Sequence, residues 1–114
     1  MAQDFERYIQ RNIGTSAATV HTSNSDDAII SIRCANTTTS TINIDVFIND
    51  GSNDYYLIKN CPIVSGGSLE LIDGGSKIVM HNNDILKAKS DTASSLDVWA
   101  SFVEIGRASC RERV

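Results

Sequence analysis

The residues that could do chemistry in this chain are two histidines, a few cysteines, and many serines and aspartates. A serine or cysteine nucleophile needs a base beside it and a third group to orient that base. His21 and His81 are the only imidazoles; they stand far apart in sequence, and each adjoins turn residues such as Ser23-Asn24 and Asn82-Asn83. Serines and aspartates surround both by composition alone, so proximity in sequence carries no triad. Solvated histidines at strand ends, and no enzyme activity, are the expectation. The spacing of Cys34, Cys61 and the histidines matches no zinc set, and no metal or cofactor is expected. Asn49-Asp50-Gly51-Ser52-Asn53-Asp54 concentrates oxygen ligands but lacks the alternating acids and closing glutamate of a helix–loop–helix calcium loop. It reads as a polar hairpin tip. Asp73-Gly74-Gly75 precedes a strand, so a phosphate would find no helix N-terminus there.

The elements around these residues are short, alternate apolar with polar, and end in turn clusters. Strands are predicted over 7–13, 17–22, 27–36, 41–48, 54–59, 68–72, 77–80, 85–89 and 96–103. A helix over 5–13 competes for the first, because Phe5, Ile9 and Ile13 also fit helical spacing. In 41–48, Ile42, Ile44, Val46 and Ile48 point inward while Asn43, Asp45 and Phe47 point outward. In 96–103, Leu96, Val98, Ala100 and Phe102 face one way and Asp97, Trp99 and Ser101 the other. Ile30, Ile32 and Cys34 share a face, which makes Cys34 a small buried hydrophobe. Cys61-Pro62 reads as a loop. Eight or nine such strands with turns about every 8–12 residues predict an all-β, single antiparallel β-sandwich, either jelly-roll or immunoglobulin-like.

Composition narrows the function classes. The 114 residues carry a net charge of −4. Three arginines and one glutamate in 106–114 contribute +2 of that, leaving −6 for the rest. An acidic domain is poorly suited to neutralising phosphates, so no nucleic-acid partner is expected. No apolar run reaches the ~18 residues of a membrane span, and the first residues lack the apolar core of a secretory signal. Neither a membrane nor secretion is expected, and the thiols are expected to be free, in a reducing site of synthesis.

Apolar bulk on outward positions is the informative oddity. Phe47 and Trp99 lie on the nominally polar faces of their strands, and at least one of Tyr55 and Tyr56 must point away from the core. Such residues commonly anchor protein contacts, or they stack on sugar rings, or both sheet faces are partly covered within the domain. With Phe5 and Tyr8 of the N-terminal segment, the candidate interaction residues are Phe5, Tyr8, Phe47, Tyr55 and Trp99.

The C-terminus breaks the pattern. Glu104 to Val114 resembles one reading frame of a common short-read sequencing adapter, so 106–114 is read as non-native. The expected organisation is an N-terminal arm and first strand (1–16), a sandwich (17–105) and this tail, with a native chain running a little further.

The remainder resembles small virion structural proteins of tailed phages infecting marine cyanobacteria. The likeness is carried by Met1-Ala2-Gln3-Asp4-Phe5, Arg11-Asn12-Ile13-Gly14-Thr15-Ser16, Asp54-Tyr55-Tyr56-Leu57-Ile58-Lys59 and Gly66-Gly67-Ser68-Leu69-Glu70-Leu71. Asp73-Gly74-Gly75-Ser76-Lys77 and Ser94-Ser95-Leu96-Asp97-Val98-Trp99 extend it. The resemblance implies a noncatalytic particle component in the tail, neck or fibre, or decorating the head. It would be made in the host bacterial cytoplasm, reside in the virion, and contact other virion proteins as a homo-oligomer. Strand edges, the segment 5–13 and exposed aromatics would make those contacts. The alternative is a carbohydrate-binding module for host surface glycans, with Trp99 and a tyrosine as its platform.

Overall fold

The computed structural model describes residues 4–72 and 78–104. The adapter-like tail with Cys110, and the glycine turn at 73–76, lie outside the described residues. Among the described residues nine strands follow one another: β1 (Asp4–Ile13), β2 (Ala18–Thr22), β3 (Asp27–Asn36), β4 (Ile42–Asn49), β5 (Asp54–Ile63), β6 (Ser68–Glu70), β7 (Ile78–Met80), β8 (Ile85–Ser90) and β9 (Leu96–Glu104). The segment around Phe5, Ile9 and Ile13 is thus a strand rather than a helix; its partner is β9 along almost its whole length.

The pairings decide between the two sandwich topologies. β1 pairs β9, β2 pairs β8, β3 pairs β6 and β7, and β4 pairs β5, all antiparallel. This is one long nested hairpin. It rolls up because β9 also pairs β3 and β8 also pairs β4. The result is a sheet ordered β1-β9-β3-β6, with β7 also on β3, facing a sheet ordered β2-β8-β4-β5. If β6 and β7 are taken together as one interrupted strand, this is the eight-stranded jelly roll.

The alternation of β4 and β9 fills the core as their sequences require. Ile42, Ile44, Val46, Leu96, Val98, Ala100 and Phe102 are buried between the sheets with Ile32, Cys34, Leu86 and Met80. Side chains with a period of two reach one face of a pleated strand, so each apolar series seals the same interior. Asn36, at the end of β3, ties down two segments, the β3–β4 turn and the end of β5. Its amide nitrogen lies 2.7 Å from the Ser40 carbonyl, 2.8 Å from that of Ile63 and 3.1 Å from that of Val64. Gly14 packs under the β8–β9 turn, where an added Cβ would meet the Ser94 nitrogen at 3.2 Å; its carbonyl accepts from Ser90 N–H at 2.9 Å.

Three local expectations need correction. Ile30 does not share a face with Ile32. A register shift between Ile29 and Ser31 puts an extra residue in β3, so Ile29 and Ile32 are both fully buried and Ile30 turns outward. Cys61-Pro62 is not a loop but part of β5, which lies at the sheet edge, where a proline costs no ladder hydrogen bond. Phe47 is on the outer face as expected, but only 4% exposed. Its cross-strand neighbours Tyr56 and Lys87 flank it, and the Tyr56 ring lies 5.0 Å from its own.

Candidate interaction surface

The possible chemistry resolves first. His21 is nearly buried, contrary to the expectation of a solvated strand end. Its ring stacks on Tyr8 at 3.7 Å and meets Phe102 edge-on at 4.8 Å. Its Nε2 lies 2.9 Å from Asp27 Oδ2, and the buried Ser23 hydroxyl lies 2.8 Å from the same oxygen. The carboxylate therefore stands between the imidazole and the hydroxyl. In a nucleophilic triad the imidazole occupies that middle place and takes the serine proton. Here Ser23 has no base of its own, and the cluster fastens β1, β2, β3 and β9 together. His81 is exposed and pairs with Asp26 at 3.0 Å; that carboxylate raises the imidazole's pKa above its ordinary value. Neither histidine lines any of the three surface depressions described below.

The other candidates are local structure. In the β4–β5 tip, Asp50 Oδ1 accepts from the backbone N–H groups of Ser52 and Asn53 at 2.9 and 2.8 Å. Those bonds hold its carboxyl below the usual range. Asn49 Oδ1 accepts from Gly51 N–H at 2.7 Å, and Gly51 supplies the positive φ of 103°. Three of the tip's side-chain oxygens, Oδ1 of Asn49, Asp50 and Asp54, are thus engaged within the turn itself. Among the described residues no cluster of three or more His, Cys, Asp or Glu is arranged to hold a metal. Cys34 and Cys61 are free, and burial pushes the Cys34 thiol up to about 12, which makes it inert. Among the described residues no helix is long and apolar enough to cross a membrane.

What the fold does build is an apolar band with a basic rim. Because Phe102 and Ala100 point inward, Trp99, Ser101 and Val103 point out from the five-stranded sheet. Register places Ile9 and Arg33 on either side of Trp99, and Phe5 beside Val103. Phe5 is 73% and Trp99 49% exposed, with Ile9 and Val79 also exposed on this sheet. The Arg7 guanidinium lies 5.1 Å over the Trp99 ring, a cation–π contact. Arg33 reaches Glu70 at 3.7 Å while remaining largely exposed. An open depression of about 560 Å³ runs between Ile9, Arg11, Arg33, Ala35, Asp97 and Trp99. A second, of about 450 Å³, lies by Phe5, Arg7 and Ile30. The third, about 350 Å³, is polar and belongs to the other sheet, by Asp45, Lys59 and Asp91.

Of the five candidate residues, the structure brings Phe5 and Trp99 to this one face. Tyr8 is on the inner side of the same strand, against His21 and Phe102, with its hydroxyl on Glu6. Phe47 is covered. Tyr55 and Tyr56 are both exposed, at 55% and 43%, on β5 of the opposite sheet. A sugar platform of Trp99 and one of these tyrosines is therefore not assembled. Sequence reasoning missed Ile9, Arg7 and Arg33 as members of the face; their register opposite Trp99 depends on pairings between distant segments.

No protein-family model matches the sequence, and no curated protein is similar to it at the level of sequence. Solved structures do share its fold. A chain of the acid-stable capsid of Helicobacter pylori bacteriophage KHP30 superposes with a TM-score of 0.59 at 9% identity, over 90% of this chain and 87% of that one. The Bacillus endospore appendages described as disulfide-linked pili give 0.53 at 16% identity, over 90% and 84%. A pentameric capsid protein from metagenomic phage sequences gives 0.52 at 17% identity, over 92% and 64%. At these identities the likeness is one of fold: the chain is a β-sandwich of the kind that phage capsid proteins use.

Proposed function

We propose that this chain is a noncatalytic structural component of a tailed-phage particle, working by what its surface touches. The observation that carries the reading is the outward band of Phe5, Ile9 and Trp99, rimmed by Arg7 and Arg33, on a rigid jelly roll. Large exposed aromatics beside arginines are the residue types that anchor protein contacts. The fold likeness to a phage capsid chain and to a capsid protein from metagenomic phage sequences supports a structural role in a virion. The sequence resemblance to marine cyanobacterial phage proteins supports the same class of particle. Its partners would be other virion proteins and further copies of itself.

The test is mass spectrometry of tailed-phage particles, banded by density, from a host carrying the gene. Peptides from this chain at a fixed ratio to the major capsid protein are expected in the particle fraction. Peptides found only in the free soluble fraction contradict the reading.

A further inference from the structure

Sheets leave edges, and folded proteins protect them with short strands, charged side chains, proline, or bulges and other breaks in the ladder. Most edges of this jelly roll are protected in that way. β5 carries Pro62, Asn60 at φ 51° and two register shifts. β2 has five residues and a register shift, and β6 and β7 have three residues each. β1 is the exception. It is ten residues long, contains no proline, and keeps a regular ladder with β9 from Asp4 to Gln10; its bulge, with Asn12 at φ 56°, comes only after that, and its protection is limited to the charges of Glu6, Arg7 and Arg11. Among the described residues no strand pairs with its other side, yet it displays Phe5 and Ile9 to solvent.

From this edge we infer that β1 pairs antiparallel with β1 of a second copy of the chain, about a two-fold axis at Tyr8, joining two five-stranded sheets into one. The proposal rests on the assembly reading above and names its partner. The charge pattern of β1, together with the bulge after Gln10 that leaves no regular ladder for a two-fold there, selects the register. Opposed residues share a face, so outward residues must meet outward ones. A two-fold at Arg7 sets Arg7 against its own copy, one at Ile9 sets Arg7 against Arg11, and one at Glu6 sets Glu6 against itself; like charges directly opposite oppose pairing. Centred on Tyr8, Phe5 meets Arg11, Glu6 meets Gln10 and Arg7 meets Ile9, with no like charges opposed. The two Trp99 bands then run on as one surface.

The test uses the full chain with cysteine pairs. In the proposed register Phe5 of one copy lies opposite Arg11 of the other, within disulfide reach, whereas within one chain five residues of strand stand between them. F5C/R11C is expected to give an oxidised dimer, as is a mixture of the F5C and R11C single variants. Neither single variant alone, nor the parent chain with its native thiols, gives that cross-link. Independently, I9R sets arginine against Arg7 at two symmetric places and weakens self-association roughly tenfold; R7E/I9R restores it. Both positions are outward and exposed, so the fold tolerates the changes. Oligomers that form no such cross-link and ignore I9R overturn β1 pairing while leaving the assembly reading intact. A chain that stays monomeric at every concentration overturns both.

Discussion

Phe47 separates the structure from a surface reading of the sequence most sharply. On alternation alone it is an exposed contact residue, and Phe47→Ala should leave stability unchanged. In the structure it is 4% exposed, on the outer face of β4, with the Tyr56 ring 5.0 Å away and Lys87 on its other side. Truncating a buried phenylalanine removes its transfer free energy and leaves a cavity, together about 3–5 kcal/mol. Phe47 belongs near the lower end, about 3 kcal/mol, because Tyr56 is a surface side chain that can settle into the gap. Phe5→Ala is the matched control: at 73% exposure it has little burial to lose, so its cost is under about 1 kcal/mol. Urea unfolding at a concentration where the chain is monomeric reads both. With a slope of about 1.5 kcal/mol per molar, the midpoint falls by roughly 2 M for Phe47→Ala and by less than roughly 0.7 M for Phe5→Ala. Equal, mild shifts for the two variants would refute the covered outer face.

Three further outcomes follow from the geometry. Asp27→Ala strips His21 of its acceptor and leaves the buried Ser23 hydroxyl only the Ser25 carbonyl, and should cost about 2 kcal/mol in chemical denaturation; unchanged stability would contradict its fastening role. Asp26 raises the folded-state pKa of His81 above its unfolded value, so the stabilisation is fully present below about pH 6.5 and is lost as pH rises through the folded pKa. The melting-temperature advantage of the parent over His81→Gln should therefore be present at about pH 5.5 and gone by about pH 8.5; an advantage growing with pH would refute the pairing. A thiol reagent should label half-buried Cys61 in the folded chain and Cys34, its thiol pushed up to about 12, only after denaturation. Peptide mapping that finds Cys34 labelled as fast as Cys61 would contradict its burial.

Most of the fold was legible because a strand with one buried face writes its period into the sequence. Ile42, Ile44 and Val46, and Leu96 to Phe102 at every second position, reach the core as their alternation requires. Where the phase slipped, the cause was local. The adjacent pair Ile29-Ile30 already breaks a strict alternation, and the bulge there resolves it by burying Ile29 and Ile32 and turning Ile30, half-buried, to the outer face. β5 runs on through Pro62 because it is an edge strand, and edge position is a property of the folded sheet rather than of the residues near the proline. The jelly-roll order likewise depends on which distant strands meet, information absent from any single strand. For the surface, alternation gave the side on which Phe47 and Trp99 lie but not their cover. Tyr56 lies over one, whereas Arg7 stacks on the other and leaves it half exposed. The buried grouping of His21, Ser23 and Asp27 had no distinguishing signal, since serines and aspartates crowd that whole turn.

Sedimentation velocity of the full chain over a wide concentration series puts the assembly claim to its most direct trial. A body whose role lies in its edges and its aromatic face should pass from monomer to a discrete, symmetric oligomer as concentration rises. One monomeric boundary at every concentration, however high, would contradict it.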